Sequence, residues 1–369
     1  MTRYFSFFFY ICAKCRIIMS KQKVIISNDL ATDIAEAVAS CPHDKLFLLA
    51  DTHTRELCLP LINDMACLQH ANVICIEPED TNKNLETLSY VWSKLSQEGA
   101  TRHSLLINVG GGMVTDLGGF AAATFKRGIT YINIPTTLLA MIDASVGGKT
   151  GINFNGLKNE IGAFAPAAVV LLCGKFLQTL DQRNLLSGYA EMLKHGLISN
   201  AAHWAELLTF DMEQIDYTRL QELAGASVQV KEDIVAQDPF EKGIRKALNL
   251  GHTIGHAFES FALTRTPVLH GYAVAWGMVC ELYLSHLKSE FPKDKLRKTV
   301  QFIKENYGTL HFTCDDYPEL YEYMKHDKKN TSGVINFTLL SDIGEICINQ
   351  TATQEEVYEV LDFFRETMN

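Results

Sequence analysis

Leu105-Leu106-Ile107-Asn108-Val109-Gly110-Gly111-Gly112-Met113-Val114-Thr115-Asp116-Leu117-Gly118-Gly119-Phe120 is the stretch on which the fold turns. Five mostly apolar residues rich in branched side chains read as a buried strand. Three glycines then make a bare turn, and the following residues carry helical spacing to about Ala123. A strand, a glycine turn and a helix in that order leave backbone N–H groups free at a helix start, where a pyrophosphate can bind. Outward from this unit the same alternation repeats. Short apolar runs stand at Val24-Ile25-Ile26, Leu46 to Leu49, Val73 to Ile76, Tyr131 to Ile134 and Val169 to Leu172, with amphipathic segments between them. This predicts an α/β N-terminal domain with a doubly wound, mainly parallel sheet. Beyond about Leu180 the windows Gln221 to Val235 and Ala273 to Leu287 have helical periodicity, which predicts a mostly α-helical C-terminal domain. Near the end, Val334 to Leu340 and Glu345 to Ile348 flank Ser341-Asp342-Ile343-Gly344 and read as a β-hairpin. The expected division is residues 19–180 and 181–369 with the active site in the cleft between them. Residues 1–18 are expected to be a non-structural extension, Met19 being the expected start.

The bulk properties fit a soluble enzyme. A chain of 369 residues, 47% hydrophobic and 21% charged, can bury two sizeable cores. Its net charge of -10 argues against nucleic acid or an anionic membrane surface as partner. The run Phe5 to Cys12 is too short to span a bilayer, and its basic residues, Lys14 and Arg16, follow it rather than precede it as in a signal peptide. Ten cysteines show no framework spacing. Cys12 and Cys15 form the one Cys-x-x-Cys and have no second pair, so reduced thiols in the cytoplasm are expected.

The chemistry concentrates in three further segments. Asn249-Leu250-Gly251-His252-Thr253-Ile254-Gly255-His256 puts two imidazoles four residues apart on one helix face, the spacing of metal ligands or proton-transfer groups. Gly188-Tyr189-Ala190-Glu191-Met192-Leu193-Lys194 sets a carboxylate one turn from a lysine, and Leu269-His270-Gly271 supplies another imidazole. A Glu and two His with open positions make a catalytic divalent-metal site rather than a closed structural one, and spacing alone allows both His252 and His256 as ligands. Asp143 to Thr150 is a near miss for a phosphate-binding P-loop: Gly148-Lys149-Thr150 fits its end. Asp143, however, stands where its first glycine belongs, and Thr137 to Ile142 reads as helix rather than strand. ATP hydrolysis is therefore not expected.

Taken together and in order, these motifs resemble the 3-dehydroquinate synthase family of sugar-phosphate cyclases. The resemblance adds Ile134-Pro135-Thr136-Thr137, Asp143 to Asn153, Lys158-Asn159, Ile161-Gly162-Ala163-Phe164, Gly243-Ile244-Arg245 and Asp327-Lys328-Lys329, and runs from about residue 45 to 345. It implies NAD and one divalent metal, Zn or Co, as cofactors. The implied metal ligands are Glu191, His252 and His270, with His256 acting on the substrate. NAD would meet Asp51, Asp80, Lys83, Gly110, Gly111, Gly112, Asp116, Thr136, Thr137, Asp143, Lys149 and Lys158. A substrate carrying phosphate and carboxylate would meet Arg127, Asp143, Lys149, Lys158, Asn159, Lys194, Lys231, Arg245, Asn249, His256 and Lys328, of which Lys149, Lys194, Arg245, Asn249 and His256 are the implied catalytic residues. A lone Lys or Arg is ordinarily a solvated surface charge, but a doubly anionic substrate needs such a group of cations.

Four positions depart from the family pattern. His53 stands where Asn is usual, Asp80 where Glu is usual and Tyr272 where Glu is usual, and Lys158 lacks the preceding Gly. The implied reaction turns 3-deoxy-D-arabino-heptulosonate 7-phosphate into 3-dehydroquinate and phosphate by NAD-mediated oxidation at C5, β-elimination of phosphate, return of the hydride, ring opening and aldol closure. A homodimer is implied. The alternative on the same scaffold is another NAD- and metal-dependent cyclase or a polyol dehydrogenase; Lys158, Asn159, Arg245, His256 and Lys328 favour the synthase.

Overall fold

The computed structural model describes residues 22–325 and 335–368. The expected extension at residues 1–18, and Lys328, lie outside the described residues. The chain starts with β1 (Lys23–Ile26), α1 (Leu30–Ala39), β2 (Leu46–Asp51), α2 (Thr52–Leu57), β3 (Asn72–Ile76), α3 (Leu85–Gln97), β4 (Leu105–Gly110), α4 (Gly112–Thr124) and β5 (Thr130–Pro135). The hairpin β6 (Lys149–Phe154) and β7 (Leu157–Phe164) follows, then β8 (Val169–Leu172). All six expected strands join one parallel sheet in the order β1-β8-β5-β4-β2-β3. Every residue of β2, β4 and β8 is buried, while β3 and β1 at the edges are only partly covered. Helices on both faces of a parallel sheet bury it twice, which is why these strands read as unbroken apolar runs.

The chain runs outward from β2 to β3 and then returns to β4 on the other side of β2. That reversal opens a crevice at the carboxyl ends of β2 and β4, the place where such sheets bind ligands. Asp51 ends β2 there, and its carboxylate caps α2 through the Thr54 N–H at 2.7 Å. Gly110 ends β4, and α4 starts two residues later. A Cβ on Gly118 would come within 2.1 Å of the Asn108 side-chain oxygen. Only glycine there lets α4 lie this close to its sheet. The segment Thr137 to Ile142, expected to be helical, continues into a π-helical turn at Ala140–Ala144 that carries Asp143.

The hairpin β6–β7 was not anticipated from the sequence. Its turn is Asn155-Gly156, both residues at positive φ (50° and 79°), as a tight two-residue turn requires. The second part consists of α5 (Gln182–Ser199), α6 (Ala201–Thr209), α7 (Tyr217–Gln237), α8 (His252–Leu263), α9 (His270–Ser289), α10 (Lys293–Tyr307), α11 (Tyr317–Lys325), the hairpin β9 (Phe337–Asp342) with β10 (Glu345–Gln350), and α12 (Gln354–Met368). Both helical windows and the late hairpin are thus where the sequence puts them.

α5 is buried from Leu185 to Ile198, and α9 from Gly271 over most of its length, so these two form the centre. α9 packs on α5, α8, α10, α12 and β9. Its start is pressed on α5: the Gly271 N–H donates to Ser187 Oγ at 3.1 Å, and a Cβ on Gly271 would fall 1.8 Å from the Ser187 carbonyl oxygen. No helix among the described residues is long and apolar enough to cross a membrane.

Candidate active site

Two close helix contacts decide where the metal-type ligands go. α8 has no side-chain cap of its own, because its N-cap is Gly251 in a left-handed conformation (φ 79°). The buried Glu281 of α9 supplies it, accepting from the Gly251 N–H at 2.6 Å and the Ile254 N–H at 3.1 Å. A carboxylate at a helix N-terminus satisfies orphan donors and favours the dipole. His252 is thereby fixed at the first turn of α8. The α9–α5 contact at Gly271 brings His270 over Glu191.

The result is a convergence of one carboxylate and two imidazoles. Glu191 Oε1 lies 3.3 Å from His252 Nε2 and 3.4 Å from His270 Nε2. Ligands bonded at 2.0–2.1 Å in a tetrahedral zinc site stand about 3.3 Å apart, so this donor set fits a zinc- or cobalt-sized cation. Lys194 pairs with the other oxygen of Glu191. Burial pushes the Glu191 carboxyl up, yet Lys194, His252 and His270 outweigh it and hold it well below the usual carboxylate range. Burial pulls His270 down, but Glu191 and Glu259 outweigh it and push it up to about 10, a proton standing where a cation would stand. His256 remains in the cluster, its ligand atoms within 4.8 Å of those of His252 and His270. Distance alone therefore keeps His256 within reach, while the carboxylate contacts favour His252 and His270.

Around this cluster lies a cavity of about 730 Å³ whose lining includes Asp116, Asp143, Lys149, Asn159, Lys194, Lys231, Arg245, Asn249, His252, His256 and His270. Lys231 donates to Asp143 Oδ1 at 2.5 Å, and this pair keeps Asp143 ionised against its burial. Burial, reinforced by Lys194 and Arg245, lowers the Lys231 ammonium below its ordinary value despite Asp143. Arg245 is buried, donating to Pro239 O at 2.6 Å and Gly147 O at 3.2 Å. Lys149 pairs with Glu241, which also accepts from Asn249 Nδ2 at 2.9 Å. Lys149, Lys194, Lys231 and Arg245 thus stand with three carboxylates, Asp116, Asp143 and Glu241, and with the metal-type histidines around one cavity.

The dinucleotide-type residues meet at the adjoining end. A Cβ on Gly111 would lie 3.1 Å from Thr137 Cγ2, and one on Gly112 would lie 3.3 Å from Ala144 Cβ, so the glycine turn faces the π-helical segment. Thr136 is buried at the end of β5. Buried Lys83 donates to Asp116 Oδ2 at 2.5 Å and also to Asn159 of the hairpin. Burial raises the Asp116 carboxyl in spite of Lys83. Asp80 accepts from Asn153 Nδ2 at 3.1 Å and lies 3.7 Å from Lys158 Nζ.

Two expected cations among the described residues do not line the cavity: Lys158, whose ammonium pairs with Glu259 at 2.6 Å, and Arg127. Arg127 is exposed on the turn after α4, in a left-handed conformation with Lys126 (φ 70° and 48°), and is absent from the cavity lining. Two successive residues at positive φ turn the chain away before β5. Lys246, next to Arg245, lines the cavity instead. Sequence reasoning also missed the lining residues Glu241, Asn336 and Thr338 with the aromatics Phe164 and Phe240, which meet edge to face at 5.5 Å, and Glu259, whose carboxylate lies 3.2 Å from His270 Nδ1. Glu259 had a legible signal, since it follows His256 by three residues and His252 by seven. The others come from loops or strands with no periodicity.

Comparison with known proteins agrees with this architecture. Residues 73–187 match the sequence model of the 3-dehydroquinate synthase N-terminal domain, and residues 188–330 match that of the C-terminal domain. The chain is 56% identical over 350 residues to 3-dehydroquinate synthase of Parabacteroides distasonis, covering 95% of this chain and 99% of the relative. It is 36% identical over 342 residues to the Streptococcus pyogenes enzyme, covering 92% and 95%. Among solved structures, 2-epi-5-epi-valiolone synthase from Streptomyces hygroscopicus, with NAD+ and Zn2+ bound, superposes with a TM-score of 0.81 at 26% identity, covering 94% of this chain and 97% of that one. A 2-deoxy-scyllo-inosose synthase complexed with carbaglucose-6-phosphate, NAD+ and Co2+ shares the fold at TM-score 0.81 and 21% identity, covering 94% and 96%. Since both halves match and a relative more than half identical aligns over nearly the whole of each chain, the protein belongs to the 3-dehydroquinate synthase family.

Proposed function

We propose that the cavity converts 3-deoxy-D-arabino-heptulosonate 7-phosphate into 3-dehydroquinate and phosphate. The observation that carries this reading is the convergence of Glu191, His252 and His270 at a cavity lined by Lys149, Lys194, Lys231 and Arg245 and, from α4, by Asp116. The relatives named 3-dehydroquinate synthase and the cyclase structures with NAD+ and Zn2+ or Co2+ bound support it. When bound, NAD takes and returns the C5 hydride and the divalent metal polarises the neighbouring hydroxyls of the substrate.

In this reading Glu191, His252 and His270 hold the metal, leaving positions open for substrate oxygens. Asp51, Asp80, Lys83, Gly110, Gly111, Gly112, Asp116, Thr136, Thr137, Asp143, Lys149 and Lys158 line the dinucleotide side. Lys149, Lys194, Lys231, Arg245 and Asn249, with Asn159 and Lys158 of the hairpin, neutralise the phosphate and carboxylate by charge-assisted hydrogen bonds. His256, beside the metal cluster, is placed to move a proton at the phosphate-bearing end. The substrate must displace Glu241 from Lys149 and Asn249 to engage them; because Lys149 lies in the part 19–180 and Lys194, Lys231 and Arg245 in the part 181–369, binding an anion to all of them draws the two parts together around it. Lys328 completes the cation set in this reading, while Arg127, exposed on its turn, stands outside it. A homodimer in the cytoplasm, with thiols reduced, goes with it; the cysteines among the described residues are free.

The test is phosphate release from the heptulosonate phosphate by the NAD- and zinc-loaded protein, with and without chelator. Chelator-sensitive release with formation of the carbocyclic ketone is expected. No release, or release only from a hexose 6-phosphate, would refute the assignment.

A further inference from the structure

Glu259 does more than fill a helix position. Its carboxylate lies at the junction of three elements: α8, which carries it; α9, which carries His270; and the hairpin strand β7, which carries Lys158. On α8, residues 252, 256 and 259 follow the three- and four-residue steps of one helix face, so Glu259 faces the same cluster as the two histidines. One oxygen, Oε2, lies 3.2 Å from His270 Nδ1; the other, Oε1, accepts from Lys158 Nζ at 2.6 Å. The side chain is only 14% exposed. Both oxygens are therefore committed, and in opposite directions.

We propose that Glu259 is a positioning residue that fixes the ring and tautomer of His270 for metal binding, and that Lys158 holds the carboxylate in that role. This rests on the reading of Glu191, His252 and His270 as metal ligands. A carboxylate is an acceptor only, so the imidazole nitrogen facing it must carry the hydrogen. With Nδ1–H turned to Glu259, the nitrogen that faces Glu191 at 3.4 Å is Nε2, and its lone pair is the one offered to a cation. Ligating histidines commonly use their second nitrogen in this way, and loss of such an outer partner typically weakens metal binding about ten- to hundredfold. Lys158 matters because it decides which atoms an altered side chain can present. Gln at 259 has the same shape but only one acceptor oxygen, and the ammonium of Lys158 claims it. The NH2 group is then left facing His270 Nδ1. Two donors cannot face each other, so the imidazole must move its hydrogen to Nε2, which closes the lone pair to the metal.

The test uses the full chain stripped of metal, with Co(II) added against a chromophoric chelator and the visible cobalt spectrum recorded. Glu259→Gln should bind cobalt about ten- to hundredfold more weakly with an altered spectrum, while its circular dichroism stays that of the wild type. Adding Lys158→Met frees the amide to rotate its oxygen to His270, so the double variant should regain part of the lost affinity. A Glu259→Gln protein that binds cobalt as tightly as wild type, or a double variant that binds no more tightly than Glu259→Gln, overturns the proposal. His270→Ala serves as the separate control. Unchanged cobalt affinity in that variant would overturn the ligand assignment as well, whereas its loss beside an unaffected Glu259→Gln protein would overturn the role of Glu259 alone.

Discussion

Replacing Gly271 by alanine tests whether the metal-type cluster depends on how closely α9 approaches α5. Inside a helix, Gly→Ala normally stabilises by about 0.5–1 kcal/mol, because alanine loses less backbone freedom on folding. Here the added Cβ would fall 1.8 Å from the Ser187 carbonyl oxygen, and 2.5 and 2.6 Å from the Ser187 C and Cα, whereas real Cβ atoms essentially never come nearer than 3.0 Å. All three atoms are backbone, so no side chain can swing aside. α9 must retreat from α5 by about an ångström or more, at an overpacking cost of about 1–3 kcal/mol or above, which exceeds the propensity gain.

The same shift carries His270 away from Glu191, now at 3.4 Å. Metal–ligand bonds tolerate about 0.2 Å, so the site should fail before the fold does. The expected result is a lower urea midpoint for the metal-free protein together with loss of stoichiometric zinc. Measuring both separates them: denaturation is followed without metal, and zinc is counted after dialysis of folded protein. A Gly271→Ala protein as stable as wild type with full zinc would refute the claim that this contact sets the cluster.

Two further outcomes follow from the charges and buried groups. Arg245→Ala should lower kcat/KM roughly thirtyfold to a thousandfold, about 2–4 kcal/mol, because the guanidinium is buried against the cavity and held by Pro239 O and Gly147 O. NAD affinity, titrated separately, should change far less, and an equal loss of both would contradict the separation of the two subsites. His203 is buried with Nε2 at 3.0 Å from Ser227 Oγ, and burial lowers its pKa below the ordinary 6.5. The folded state thus disfavours the protonated ring. Its contribution is fully present above about pH 6.5, where the unfolded chain is also neutral, and is lost as pH falls below that value. The fall in Tm from pH 7.5 to 5.5 should accordingly shrink in His203→Gln, which keeps a polar atom for Ser227; an unchanged fall would refute it.

Much of the fold was legible because a parallel sheet buried on both faces leaves a strong local mark. All six strands were readable as apolar runs, and the Gly110 to Gly112 turn was readable from its place between strand and helix. The β6–β7 hairpin was not read, although its Asn155-Gly156 turn was visible, because Leu157 to Phe164 is largely exposed and carries no apolar alternation. The helical windows and the late hairpin were legible from periodicity alone.

The site divides in the same way. Residue types with chemistry stood out in the sequence: His252 and His256 one turn apart, Glu191 with Lys194, His270 beside Gly271. Their meeting did not, because Glu191, His252 and His270 lie on three helices, and only the packing of α5, α8 and α9 decides that Glu191 Oε1 stands between two imidazoles. Arg127 shows the limit from the other side, since its motif matched a family position yet two residues at positive φ leave it exposed on a turn. The sequence by itself determined the strand runs, the turns and the residues able to bind metal, because periodicity, backbone freedom and ligand chemistry are local properties. Only the tertiary structure decided that Glu259 and Glu241 stand beside the cations, that Glu281 caps α8 and that Lys246 lines the cavity, because those contacts join residues far apart in the chain and depend on how helices press together.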